Sequence, residues 1–198
     1  MYRLIKTVTF FSILAIAGGA AAGTGVDVGD QAPQFTLADS AGNEVGLADF
    51  KGKIVVLEWT NPDCPFVKRH NEEGTMKKLE STFAKSGVVW LTVNSTNYMD
   101  AAANAAYVKK EGINWPVLVD QDGAVGHSYG AATTPHMFII DGKGTVVYEG
   151  AIDDDARGNK EAGARTNYVA DALNEIAAGK PVSTPETKPY GCSVKYAK

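Results

Sequence analysis

Two cysteines, Cys64 and Cys192, carry the most reactive chemistry in the chain. Cys64 stands in Trp59-Thr60-Asn61-Pro62-Asp63-Cys64-Pro65-Phe66-Val67, after an apolar β-branched run and before a stretch with helical spacing. The thiolate is the nucleophilic form of cysteine. Unpaired amides and partial positive charge at a helix start favour that form. Pro65 suits the first helical turn, and Asp63 is a candidate cap. Lys68, Arg69 and His70 follow close behind and add positive or titratable charge. The competing reading of Cys64 is a buried, inert side chain in a strand-to-helix turn. Cys192 lies near the chain end, in Gly191-Cys192-Ser193-Val194-Lys195. So distant a pair permits a structural disulfide, a catalytic pair, or two unpaired thiols.

The elements that must position these residues follow from patterning. Phe35–Leu37 and Glu44–Phe50 read as short β segments around the turn Ala41-Gly42-Asn43. Ile54–Trp59 is a β-branched apolar run interrupted only by Glu58, as expected of a buried central strand. Residues 65–85 place Phe66, Met76, Leu79 and Phe83 on a helical face and end at Gly87. Val88–Val93 and Pro116–Val119 read as strands, with Ala101–Lys110 a helix between them and Ala124–Tyr129 a short helix after. Met137–Ile140 and Thr145–Tyr148 flank Asp141-Gly142-Lys143-Gly144 and predict a hairpin. Thr166–Ala177 is an amphipathic helix, and Pro181–Tyr190 an extended Pro/Thr-rich stretch. Alternating strands and helices closed by a hairpin imply an α/β sheet layered by helices.

Composition narrows the function. At 198 residues, 44% hydrophobic and 21% charged, the chain can bury a core of its own. Arg3 and Lys6 precede an apolar run over residues 7–17 and small residues at Ala20-Ala21-Ala22, the pattern of a secretory signal peptide cut near Ala22. The run is too short for a membrane anchor. Without residues 1–22 the formal charge moves from −4 to −6, because that segment holds two cations and no acid. A mildly acidic chain with no basic stripe, Walker loop or GxGxxG argues against nucleic acid as a partner. His70, His127 and His136 are too scattered for zinc, and no metal or cofactor is expected. Cys64 with His70 or His136 is the one soft-metal alternative, for Cu(I). Asp153-Asp154-Asp155 reads as a solvated acidic turn, with Arg165 pairing an acid such as Asp153.

An apolar strand, a cysteine at the following helix start and a later Thr133-Thr134-Pro135-His136 ahead of a hairpin resemble the thioredoxin-like plan. Gly29-Asp30-Gln31-Ala32-Pro33-Gln34-Phe35-Thr36-Leu37 resembles the opening of redoxin (AhpC/TSA-like) domains, and the likeness covers roughly residues 27–178. The resemblance implies a thioredoxin-like α/β fold: a central mixed sheet flanked by helices, an N-terminal β extension and a C-terminal tail. Together with the leader pattern it divides the chain into a signal peptide (1–22), a redoxin domain (23–180) and a tail (181–198). It also implies a cis Thr134–Pro135 bond facing Cys64. Two family patterns are broken. Val67 stands where a CxxC motif has its second cysteine, and Leu57 and Asn61 stand where peroxiredoxins have Pro and Thr or Ser.

The resemblance is strongest to a peroxiredoxin-like subgroup with Cys-Pro-Phe-Val at the active turn and a Gly-Cys-Ser tail. It implies an exported, periplasmic-type antioxidant oxidoreductase that reduces peroxides through Cys64 with Cys192 as resolving thiol. Thr60, Asn61, Pro65, Arg69, Thr134 and Pro135 are the expected supports. A thioredoxin-like protein is the expected reductant, and no membrane insertion is expected after signal cleavage. The alternatives are thiol–disulfide exchange with a protein partner and a non-catalytic binding module. A Pro-rich tail that can move to the helix start and away suits a resolving thiol. A permanent Cys64–Cys192 bond would instead make it a staple. Glu58, an acid on an apolar strand, is either a proton relay, as the acid under the helix start is in thioredoxins, or an idle edge residue.

Overall fold

The structure is a computed structural model, and it describes residues 25–197. The signal peptide read in residues 1–22 lies outside them. Thr36–Ala38 (β1) and Glu44–Gly46 (β2) form a small antiparallel ribbon, followed by a 3-10 turn over Leu47–Phe50. Val55–Trp59 (β3) then enters the main sheet. Pro65–Glu73 (α1) and Thr75–Phe83 (α2) lead to Val89–Asn94 (β4), Ala101–Glu111 (α3), Val117–Val119 (β5) and Ala124–Tyr129 (α4). Thr133–Thr134 (β6) precedes the hairpin of His136–Ile140 (β7) and Val146–Gly150 (β8). Tyr168–Ala177 (α5) and Cys192–Ser193 (β9) complete the order.

The main sheet has five strands in the order β5-β4-β3-β7-β8. β3, β4 and β5 run parallel, whereas β7 and β8 run antiparallel to their neighbours, so the sheet is mixed as expected. Side chains of a strand alternate between faces, and both faces are covered. Val56, Trp90, Met137, Ile139 and Tyr148 meet Met76, Leu79 and Phe83 of α2 and Val169, Ala172 and Leu173 of α5. Leu57, Trp59, Leu91, Val93 and Phe138 meet Phe35, Leu47, Val125 and Tyr129 on the other side. That two-sided burial explains why β3 shows no polar alternation. Each buried Val, Leu, Ile, Phe or Met among them contributes about 1.5–3 kcal/mol of hydrophobic stabilisation.

One predicted helix is two. Gly74 adopts φ 66°, a left-handed conformation that caps α1, and its N–H bonds Asn71 and His70 carbonyls. The Lys/Glu pattern runs on across the break and hides it. The predicted hairpin turn is held by Asp141, whose Oδ1 accepts from the Lys143 and Thr145 amides at 2.9 Å each.

The acidic turn is corrected by the structure. Asp153 and Asp155 are buried, not solvated. Arg165 pairs with Glu73 at 2.5 Å and with Asp155 at 2.8 Å, while Asp153 accepts from the Tyr190 hydroxyl.

Candidate active site

β3 ends at Trp59, and the chain turns through Thr60–Asp63 into α1. The turn is set by Asn61: its carbonyl accepts from the Cys64 amide at 3.0 Å and its side-chain oxygen from the Asp63 amide at 2.8 Å. The Asn61 amide donates to Tyr98 Oη, which donates to Asp63. The helix N-cap is Cys64 itself, with Pro65 in the first turn. Asp63, the sequence candidate, lies one residue before the cap, because Pro62-Asp63 completes the turn started by Asn61.

Cys64 is only 2% exposed. As a thiol its Sγ donates to the Thr134 carbonyl at 2.9 Å. Thr134 precedes a cis bond to Pro135, and its carbonyl places the loop before β7 against the helix start. Burial pushes the Cys64 thiol up, but hydrogen bonds donated by the Thr134 hydroxyl, the Val67 amide and Cys192 outweigh it and bring it below its ordinary value. Cys192 moves the other way, to about 11, through burial, its bond to Cys64 and the Cys64 charge. Of the two sulfurs, Cys64 is thus the more acidic and Cys192 the one that holds its proton more tightly.

Cys192 reaches Cys64 because the tail adds a strand. β9 pairs antiparallel with β6, with Thr134 opposite Cys192 and Thr133 opposite Ser193. Both cysteines are free thiols. Gly191 is required at this approach: it has φ 142°, and a Cβ there would lie 2.0 Å from the Thr134 carbonyl oxygen. The tail is strapped down rather than loose. Pro185 and Thr187 hydrogen-bond β8 through Glu149, Val194 donates to the Ala132 carbonyl, and Asn97 donates to the Lys195 carbonyl.

Of the expected supports, Pro65, Thr134 and Pro135 stand around Cys64. Thr60 is buried, and its hydroxyl has no hydrogen-bond partner among the described residues. Asn61 shapes the turn. Arg69 points to the tail, where its guanidinium donates to Tyr190 Oη at 3.2 Å. His70 lies beside it, its Nε2 3.0 Å from the same hydroxyl, and burial lowers it to about 4. His136 is likewise brought to about 4 by burial, and its Nδ1 accepts from the Ala132 amide. Glu58 is buried beneath α1 and accepts from Trp90 Nε1 at 3.0 Å and Thr92 Oγ1 at 3.1 Å. It shares a small cavity with His70, Asn71 and Tyr107, and burial raises its carboxyl to about 7. Among the described residues no group of three or more His, Cys, Asp or Glu side chains could hold a metal ion.

Sequence reasoning missed Tyr190. Its hydroxyl joins His70, Arg69 and Asp153, and its ring packs on Phe66 at 5.9 Å, so it ties α1 to the tail two residues before Cys192. Tyr190→Phe keeps the ring and strands these polar groups. It is expected to cost about 1–3 kcal/mol, read as a lower urea midpoint at unchanged slope. An unchanged midpoint would show that the hydroxyl carries no net stability.

Comparison with known proteins agrees with this fold. The AhpC/TSA family profile matches residues 28–149. The thiol-disulfide oxidoreductase ResA of Bacillus thuringiensis subsp. konkukian is 30% identical over 124 residues, 63% of this chain and 69% of that protein. A hypothetical protein of Sinorhizobium meliloti 1021 superposes with a TM-score of 0.78 at 29% identity, over 87% of this chain and 96% of that one. An uncharacterized conserved protein of Geobacillus kaustophilus gives a TM-score of 0.77 at 30% identity, over 86% and 93%. A solved DsbE-type thiol:disulfide interchange protein of Chlorobium tepidum and a solved thioredoxin of Neisseria meningitidis share the thioredoxin-like fold. Among the described residues no helix is long and apolar enough to cross a membrane.

Proposed function

The chain belongs to the AhpC/TSA family, and on that footing we propose that it exchanges thiols and disulfides with protein partners through Cys64, with Cys192 as the second thiol. The observation that carries this reading is the pairing of Thr134 with Cys192, which brings a protonated thiol to the acidified sulfur at the helix start. The chain lacks the local second cysteine of a CxxC motif, and the tail supplies one from 128 positions further on, counting from Cys64 to Cys192. The Cys64 thiolate attacks one sulfur of a partner disulfide, and the partner's other sulfur leaves as a thiolate. Cys192, giving up its proton, then attacks Cys64 in the mixed disulfide. The partner leaves as a dithiol, and Cys64–Cys192 is the new disulfide. The ResA relatives are named for thiol–disulfide oxidoreduction, which favours exchange over peroxide reduction as the main reading. The leader pattern in residues 1–22 supports action outside the cytoplasm, where disulfide partners are common.

The test reacts the reduced protein separately with oxidised glutathione and with hydrogen peroxide at equal concentration, and maps the products by mass. Exchange predicts rapid loss of both thiols to a Cys64–Cys192 disulfide in glutathione. A Cys64 consumed faster by peroxide than by the disulfide would replace exchange with peroxide reduction. A pair that reacts with neither would leave a non-catalytic module.

A further inference from the structure

We infer that residues 191–196 occupy the track on which an extended, cysteine-bearing segment of the partner docks, and that the tail leaves this track before Cys64 reacts. The inference rests on the exchange reaction proposed above and names its substrate class. At 2% exposure, Cys64 cannot meet a sulfur of another protein while the tail is seated. The seated tail has the form of a bound peptide. Alternate residues turn inward: Cys192 toward Cys64, Val194 into the core cluster with Trp59 and Val125, and Tyr196 into a slot. Ser193 and Lys195 between them are exposed.

The Tyr196 slot is built for a ring. A Cβ on Gly123 or Gly126 would come within 2.6 Å of Tyr196 atoms, so only glycine leaves the space. The ring stacks on His127 at 3.9 Å, and its hydroxyl donates to the Ala131 carbonyl at 2.7 Å. When β9 lifts away, the Ala132 carbonyl loses the Val194 amide, and the β6 edge loses its strand. Backbone groups left this way are satisfied by another extended segment, whose alternate side chains fill the vacated pockets. The fitting partner is therefore an unfolded or edge segment reading glycine, cysteine, any residue, aliphatic, any residue, aromatic. Its cysteine, in a disulfide, is delivered to Cys64. The Cys64 thiolate attacks that sulfur, the disulfide breaks, and the departing sulfur leaves with the electron pair and takes up a proton.

The test uses the full chain carrying Cys192→Ser, reduced, so that Cys64 alone reacts. One probe is the peptide Gly-Cys-Ser-Val-Lys-Tyr with its cysteine in a thionitrobenzoate disulfide. The second replaces valine and tyrosine by aspartate and glycine, and the third is the small symmetrical thionitrobenzoate disulfide. Released thionitrobenzoate is followed by absorbance. The first probe is expected to react about tenfold or more faster than the second, since two pocket contacts are at stake. Tyr196→Ala, and independently Gly191→Val, are expected to raise the rate with the first probe and with the small disulfide, because each loosens the tail by a different contact. Equal rates for the two peptides overturn the track. Rates unmoved by both substitutions overturn the gate. If the small disulfide reacts normally, such results leave exchange standing. If it fails to react even with the loosened, folded chains, exchange itself falls and takes this inference with it.

Discussion

Replacing Cys192 by serine is expected to leave the first covalent step in place and to stop the second. The reduced variant still presents Cys64 at the start of α1, with the Val67 amide and Thr134 beside its sulfur. It attacks a partner disulfide and stays joined to it, because no second thiol stands at the site. A tethered thiol acts at an effective concentration of the order of mM, whereas a competing partner thiol is supplied at μM. Turnover should fall roughly 10²–10³-fold by that ratio. The mixed disulfide should accumulate as a mass adduct on Cys64. Cys192→Ala, which unlike serine has no group to donate in place of the thiol, should also raise the Cys64 thiol toward its ordinary value. Since attack needs the thiolate, the rate with a small disulfide rises with pH through the Cys64 titration and then levels. That rise should shift to higher pH in the alanine variant. Undiminished turnover, or a profile that does not move, would remove Cys192 from the reaction.

The parts of this site differ in how visible they are in the sequence, for physical reasons. The strand β3 and the cysteine after it were legible because burial on both faces forces an apolar run, broken here only by Glu58, and a sharp turn needs Asn, Pro and Asp. The hairpin was legible from Asp141 and its glycines. The break at Gly74 left a trace only in that glycine, since surface positions on either side tolerate the same Lys and Glu. The pairing of β6 with β9 was not legible. Two-residue strands carry no periodicity, and Thr134 and Cys192 are joined by backbone bonds that any residue can make. Gly191 was the available signal: a glycine directly before a cysteine marks a place where the backbone presses against another chain segment. Tyr190 was hidden for a related reason. A tyrosine in a Pro-rich stretch reads as a surface residue until Asp153, His70 and Arg69, all distant in sequence, close around its hydroxyl. The turn at residues 153–155 misled for the opposite reason, because a run of acids looks solvated unless its cations, here Arg165 and Lys160, can be assigned.

Glu58→Gln is expected to stabilise the protein at pH 8 and to change it little at pH 4.5. Burial raises the folded carboxyl to about 7 from an ordinary 4.5, against which the Trp90 and Thr92 bonds pull down only partly. The sign follows from which state ionises first. Below pH 4.5 the group is protonated both folded and unfolded, and it costs nothing. As the pH rises toward 7 the unfolded chain ionises while the folded one resists, so stability is lost through that window. At about 1.4 kcal/mol per pH unit the loss reaches roughly 3 kcal/mol above pH 7. A glutamine keeps the shape, and its carbonyl can accept from both Trp90 and Thr92 without ever ionising. Urea titrations of the two reduced chains at pH 4.5 and 8 should therefore diverge with pH, by about 2–3 kcal/mol at the upper end. Glu149, raised to about 7 by burial and by Glu186 and Asp27, is common to both chains and cancels in the comparison. The same substitution separates two roles for this acid. Glu58 lies under the helix that carries Cys64 and shares its cavity with His70 and Asn71 of that helix. If it passes protons to the reacting sulfurs, the variant's exchange rate loses an inflection near pH 7 as well as gaining stability. If its charge is merely tolerated, stability rises and the pH profile keeps its shape. A stability difference that does not change between the two pH values would mean that the carboxyl is hydrated, and both roles would fall.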